Sequence, residues 1–184
     1  MIKTDVLVIG SGISGLSYAI KIAEQLPDTK ITIVTKSNED ESNTKYAQGG
    51  LAVVTDFSKD NFQKHIDDTL RAGDYINDPE IVKMVVEEAP HRFNEIVEWG
   101  AIFDQEKGKY SLGREGGHTE NRIVHHKDIT GFEIERALLE TVRNSPNIEM
   151  LPHHYVIDLI TQHHVPGKEL DKGNIHGYGA YVLD

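Results

Sequence analysis

In the first 36 residues the apolar positions run continuous, then helical, then continuous again. Val6 to Ile9 in "TDVLVIG" form an unbroken apolar run, as in a strand covered on both faces. Leu16, Ala19, Ile20, Ala23 and Leu26 then recur at helical spacing, and Pro27 follows the helix end. "KITIVTK", Lys30 to Lys36, returns to a β-branched strand, so the three pieces predict a βαβ unit. Farther on, "DNFQKHIDDTLRAG" spaces Phe62, Ile66 and Leu70 on one helical face, with Gly73 at its close. "DPEIVKMVVEEA" opens with Asp78 as N-cap and Pro79 at the first helical position. Pro90 is expected to end that helix and begin another running to Trp99, stopped by Gly100. "TGFEIERALLETV" starts with a Thr130-x-x-Glu133 capping box and turns Ile134, Ala137, Leu138 and Val142 inward. "IEMLPHHYVIDLI" predicts two short strands, and "PGKELDKGNIHGYGAYVLD" a turn followed by a strand with Val182 and Leu183.

Composition narrows the class. The 184 residues suffice for one domain with a real core, and the formal net charge is −11 with no basic stripe. A nucleic-acid surface would need clustered Lys and Arg, so that partner is set aside. The chain has no cysteine, hence no disulfide framework and no thiolate chemistry. No segment approaches the roughly 20 apolar residues that span a bilayer, and "VLVIG" is too short for a signal h-region. No membrane partner and a cytoplasmic location are expected.

The chemistry begins at the glycines. Gly10-Ser11-Gly12-Ile13-Ser14-Gly15 is a complete G-x-G-x-x-G between a strand and a helix. Gly10 permits the tight turn, Gly12 lets the backbone approach a pyrophosphate, and Gly15 lets the helix pack closely on the strand. The helix N-terminus then offers positive potential to phosphates, so dinucleotide binding is expected. A simple NAD site wants a carboxylate about 20 residues on; Thr35 stands there, followed by Lys36. Lys36 suits the phosphate or ribose of another cofactor, or is a solvated lysine after the strand. Next, "SNTKYAQGGLAVV" joins small and amide side chains (Asn43, Thr44, Ala47, Gln48) to Gly49-Gly50 and an apolar run. The glycine pair suggests backbone lying close against something flat or bulky.

"LGREGGHTENR", Leu112 to Arg122, shows neither helical nor strand period and is expected to be loop. It sets one carboxylate, Glu115, between an arginine and two glycines. On the residue pattern alone this is a solvated turn or a ligand site. Arg114 and His118 suit either the carboxylates of a substrate or pairing with Glu120 or Glu115 on a solvated loop, and the pairing is the reading preferred. The adjacent pairs His125-His126, His153-His154 and His163-His164 point to opposite faces in extended backbone. With no Cys and no H-E-x-x-H, no metal site is expected.

Taken together, "VLVIGSGISGLS", "IVTKS", "TKYAQGGLAVV", "HIDDTLRAG", "GREGGHTENRIVHHKDITG" and "PNIEML" resemble the succinate dehydrogenase and fumarate reductase flavoprotein family, and within it the L-aspartate oxidases. The resemblance covers nearly the whole chain. It implies an α/β fold, a Rossmann-like FAD-binding domain with a βαβ start and a mixed sheet. Residues 1–184 would be its N-terminal part, incomplete and without the later capping and helical domains. It further implies FAD held around Gly10, Ser11, Gly12, Ile13, Ser14, Gly15 and Lys36, and around Asn43, Thr44, Lys45, Tyr46, Ala47, Gln48, Gly49 and Gly50. The membrane-bound members carry a flavin-linked histidine six residues before the first glycine of the GG pair. Asn43 occupies that position and has no nucleophilic ring nitrogen, so the FAD is expected to be non-covalent.

Where the succinate and fumarate enzymes typically have Phe before the second glycine pair, this chain has Glu115. Aspartate differs from succinate by one ammonium, for which a carboxylate is a charge-assisted partner. Succinate, a dianion, would be repelled by it. Glu115 is therefore the expected aspartate-recognising residue. The implied reaction is oxidation of L-aspartate to iminoaspartate for NAD biosynthesis, with oxygen or fumarate as acceptor. A soluble fumarate reductase with non-covalent FAD, or a non-catalytic dinucleotide-binding module, are the other classes the residues allow. The family's catalytic arginine and substrate histidines would lie beyond Asp184. These 184 residues by themselves are thus expected to bind FAD weakly and to show no turnover; a tight stoichiometric complex in a flavin titration would refute this.

Overall fold

The computed structural model describes residues 1–167 and 174–184, so part of the turn expected before the last strand lies outside the described residues. Two compact units emerge, one formed by residues 1–43 and 139–184 and the other by residues 44–138.

The first unit is built on three parallel strands, β1 (Val6–Ile9), β2 (Ile31–Val34) and β8 (Ile148–Leu151), in the order β1-β2-β8. Helix α1 (Ile13–Gln25) buries Leu16, Ala19, Ile20 and Ala23, the face its spacing predicts. β2 is buried at all four positions, as a central strand of a covered parallel sheet must be. β1 departs from expectation. It forms an edge of this sheet, and Ile9 is 52% exposed rather than covered on both faces. β9 (Tyr155–Thr161) and β10 (Gly177–Leu183) pair antiparallel as a separate two-stranded ribbon, giving the mixed α/β character.

In the second unit β3 (Leu51–Ala52) pairs with β7 (Ile123–Val124), which pairs on its other side with β6 (Leu112–Gly113). β4 (Gln105–Glu106) and β5 (Lys109–Tyr110) form a small hairpin. Helix α2 (Phe62–Ala72) starts at Asn61, whose side chain accepts the Lys64 backbone N–H, and ends at Gly73. Helix α3 (Pro79–Glu98) starts at Asp78, whose carboxylate accepts the N–H groups of Glu80 and Ile81. α3 continues through Pro90, against the expected break. A proline removes one N–H and crowds one carbonyl. Here Val86, Phe93 and Ile96 are buried on both sides of it. Val86 and Phe93 lie one heptad apart on a common face, so a break at Pro90 would pull one of them out of the core.

Helix α4 (Thr130–Arg143) opens in this unit, and the boundary between the units falls within it. The expected capping box does not form. The Thr130 hydroxyl accepts from the His126 backbone N–H, while Glu133 accepts from the Ile102 N–H and pairs with Arg136 at 2.7 Å. Burial opposes ionisation of Glu133, yet those donors hold its carboxyl below the ordinary value. One tertiary partner, the Ile102 N–H, and one neighbour in the same helix, Arg136, have taken the group that local sequence assigned to the cap.

Two glycines set close approaches here. Gly50 lies so near the Val124 carbonyl and the Ile123 side chain that no Cβ fits. Gly131, at the start of α4, lies against the Thr44 and Ala47 carbonyls and donates its N–H to Ala47 at 3.0 Å. Gly131→Ala should lower unfolding stability by about 1–3 kcal/mol, the range for overpacking a tight site. Urea denaturation read by circular dichroism measures it, and an unchanged midpoint would refute the close approach.

Candidate functional site

The glycine turn follows β1 directly. Gly10 adopts φ +103°, a conformation that L side chains rarely take, and its N–H donates to the Val34 carbonyl at 2.8 Å. A Cβ on Gly15 would collide with the Gly10 carbonyl oxygen, so glycine here is what lets α1 sit against the turn. Gly12 is the N-cap and contributes no capping side chain, and a helix N-terminus carries positive potential suited to an anion. Ser11 is buried, and its hydroxyl lies 3.1 Å from that of Thr35. The residue standing where a ribose-binding carboxylate would be is thus tied to the glycine turn. Lys36 is exposed just after β2, and Asn43 is exposed at the end of the segment that follows.

The rest of the expected cofactor segment belongs to the other unit. Thr44 to Ala47 form a turn, with the Ala47 N–H on the Thr44 carbonyl at 3.1 Å, and α4 starts against it through Gly131. Tyr46, Ala47, Gln48 and Gly49 are exposed, while Gly50 is pressed on β7. Of the pair Gly49-Gly50, only the second meets a close neighbour within the described residues; a Cβ on Gly49 would stand in open space. The segment is therefore anchored at both ends and open between.

The loop after β6 resolves into two halves. Glu115 to His118 make a turn in which the His118 N–H reaches the Glu115 carbonyl at 3.2 Å and Gly117 takes φ +91°. A positive φ at the third residue is the type II requirement that glycine meets. Arg114, Glu115 and Gly116 are exposed.

The other half is clamped to α2. Arg122 is fully buried, bidentate on Asp60 at 2.7 and 2.9 Å and bonded to Asp68 at 2.7 Å. Asp68 also accepts the Thr119 backbone N–H at 2.7 Å and its hydroxyl at 2.9 Å, and pairs with Arg71. Arg71 donates in turn to the Gly117 carbonyl at 3.0 Å, inside the turn itself. Burial opposes ionisation of Asp68, but Thr119, Arg122 and Arg71 hold its carboxyl far below the ordinary carboxylate range.

The pairing expected for Arg114 and His118 is corrected by these contacts. Glu120 pairs with Lys64 at 2.6 Å, and His118 packs edge-on to His65 with ring centroids 5.9 Å apart. The reason is that α2 supplies partners which the loop sequence could not reveal. Of the histidine pairs, His125 and His126 diverge as expected, whereas His163 and His164 lie in a short 3-10 turn and both rings reach the Thr161 hydroxyl, at 3.1 and 3.4 Å. His125 bonds Asp104 at 3.0 Å while His126 bonds the Ile102 carbonyl at 2.9 Å. A cleft of about 350 Å³ in the same unit is lined by Leu51, Met84, Val85 and Phe93 among others, and its walls are mostly hydrocarbon.

Sequence reasoning passed over Asp60, Asp68, Thr119 and Arg122, and read Gly131 only as part of a structural helix start in Asp128-Ile129-Thr130-Gly131. One signal was present for Asp68: His65 and Asp68 are three apart and flank Ile66, which places them within the inward stripe of α2.

A family model described as an FAD binding domain matches residues 5–182. The chain belongs to the FAD-binding domain family. It is 45% identical over 181 residues to the chloroplastic L-aspartate oxidase of Oryza sativa subsp. japonica, covering 98% of this chain and 26% of that protein. It is 39% identical to the L-aspartate oxidase of Vibrio cholerae, covering 98% of this chain and 33% of that one. Among solved structures, Escherichia coli quinol fumarate reductase matches with TM-score 0.86 and 28% identity, over 99% of this chain and 29% of that one. Sdh1 of Mycobacterium smegmatis matches with TM-score 0.81 and 32% identity, over 97% of this chain and 30% of that one. The chain thus spans well under half the length of these relatives. FAD is the cofactor of this family's domain, and the α1 N-terminus without a capping side chain and the Gly10–Gly15 close approach fit a bound pyrophosphate. Among the described residues no helix is long and apolar enough to cross a membrane.

Burial, the Arg122 charge and the His118 ring together push the His65 imidazole down to about 4 from an ordinary 6.5. A depressed histidine contributes stability that is complete above pH 6.5 and is lost as pH falls towards 4. The urea midpoint should accordingly drop between pH 7 and pH 4, with a shallower drop in His65→Gln. Identical slopes for the two proteins would contradict the assignment.

Proposed function

We propose that the full-length protein oxidises L-aspartate to iminoaspartate with non-covalent FAD, the entry reaction of NAD biosynthesis from aspartate. The observation that carries this reading is the exposed Glu115 carboxylate, held on a turn that Arg71 and the Asp68 cluster fasten to α2. The relatives named L-aspartate oxidase support it from an independent direction.

FAD, when bound, supplies the redox capacity for removing two electrons from the amino-bearing carbon, with oxygen or fumarate as final acceptor. In this reading the backbone of Gly10, Ser11, Gly12, Ile13, Ser14 and Gly15 holds its pyrophosphate at the α1 N-terminus. Lys36 and Asn43 to Gly50 provide further contacts. Glu115 binds the substrate ammonium through a charge-assisted hydrogen bond. That bond orients the amino-bearing carbon and rejects succinate, which would leave the carboxylate facing a second anion. Asn43 bears no ring nitrogen to attack a flavin, which supports the non-covalent assignment.

A second reading, a soluble fumarate reductase, draws on the likeness to quinol fumarate reductase. Anaerobic addition of L-aspartate or succinate to the FAD-loaded full-length protein separates the two. Bleaching of the flavin by aspartate alone is expected. Failure of aspartate, with fumarate reoxidising a chemically reduced flavin, would establish the second reading instead.

Glu115→Gln should lower L-aspartate turnover by on the order of tenfold or more, matching loss of a hydrogen bond to a charged group. Fumarate reduction should change much less. Steady-state kinetics with each substrate test this, and equal losses would remove the recognition role.

A further inference from the structure

Glu115 is exposed, and within the described residues its turn is fastened to α2 through the backbone and side chains that follow it. The fastening has an order. Arg122, fully buried, is neutralised by Asp60 on one side and by Asp68 on the other. Asp68 uses one carboxylate oxygen for Arg122 and for both donors of Thr119, and the other for Arg71. Arg71 then reaches across to the Gly117 carbonyl, two residues beyond Glu115. His118, which closes the turn onto the Glu115 carbonyl, is packed on His65 of the same helix. The loop therefore meets α2 at three successive residues, Gly117, His118 and Thr119, directly after the residue pair that carries the exposed carboxylate.

We propose that Asp68, Arg71 and Thr119 are positioning residues for Glu115, a buried-charge clamp that holds the substrate-recognising turn at one height above α2. This rests on the proposed role of Glu115 towards the aspartate ammonium. An exposed glutamate on a glycine-rich loop samples many orientations, and recognition of a single ammonium depends on holding one. The clamp holds the backbone and leaves the Glu115 side chain open to ligand. Arg71 and Thr119 lie at its exposed margin, so altering them leaves both Arg122 pairs in place.

The test uses the FAD-loaded full-length protein carrying Thr119→Val, Thr119→Ser or Arg71→Gln, each also made with Glu115→Gln. Thr119→Val and Arg71→Gln should raise KM for L-aspartate about fivefold, the scale of one ordinary hydrogen bond, with kcat and FAD affinity nearly unchanged. Thr119→Ser keeps the hydroxyl and should restore the wild-type KM. In the Glu115→Gln background the same changes should add little, because the residue they position is gone. A glutamyl endopeptidase supplies a readout independent of turnover: cleavage at the Glu115–Gly116 bond should accelerate about fivefold in Thr119→Val as local opening becomes easier. An unchanged cleavage rate, or a KM effect that persists in full without Glu115, overturns the clamp. Should the wild-type protein fail to oxidise L-aspartate, the functional reading falls and the aspartate role with it, while the cleavage rates still decide whether the clamp holds the turn.

Discussion

A fully buried guanidinium cannot be left unpaired, because the effective penalty of taking an ion out of water is several kcal/mol. Arg122 meets that constraint with two carboxylates, Asp60 just before α2 and Asp68 within it. The cluster links several parts of the second unit. Arg122 immediately precedes β7, and its carbonyl accepts the Val53 N–H beside β3 at 2.9 Å. The same residue thus joins the small β3-β7-β6 sheet to α2 and to the loop bearing Glu115. Replacing such a cluster by hydrocarbon can be neutral for stability in other proteins, so its contribution here is better seen as register and orientation.

Steric exclusion governs the other anchored segment. Residues 44–50 are held at one end by Gly131, pressed on the Thr44 and Ala47 carbonyls, and at the other by Gly50, pressed on β7. The first contact falls mainly on backbone carbonyls, with the Ala47 methyl beside them. The stretch between, Tyr46 to Gly49, is left exposed while its ends are fixed. The βαβ turn obeys the same rule, for Gly15 touches the Gly10 carbonyl where any Cβ would intrude. Backbone proximity in all three places comes from missing side-chain volume.

Polar positions carried both the correct and the mistaken expectations. Asp78 and Pro79 start α3 as read, because an N-cap acts on the next two or three amides and needs no tertiary partner. Thr130 and Glu133 show the same kind of signature and do not form a box, since the Ile102 N–H and Arg136 compete for the glutamate. Pro90 breaks no helix because a buried stripe on both sides holds the axis. Local rules prevail where the side chain has only local partners and yield where the folded chain supplies better ones.

The sequence by itself determined the βαβ unit, the glycine turn and the cofactor class, because each rests on near neighbours or on a recognisable ordered set of motifs. Only the tertiary structure decided that Asp60, Asp68 and Arg122 form one buried cluster. Residues 54 and 62 positions apart are brought together by the fold, and no period in the sequence encodes such a pairing. The same holds for Gly131, which reads only as part of a helix start until the Thr44–Ala47 turn is seen against it. Charge burial and close backbone contact are properties of a surface that exists only after the chain has folded.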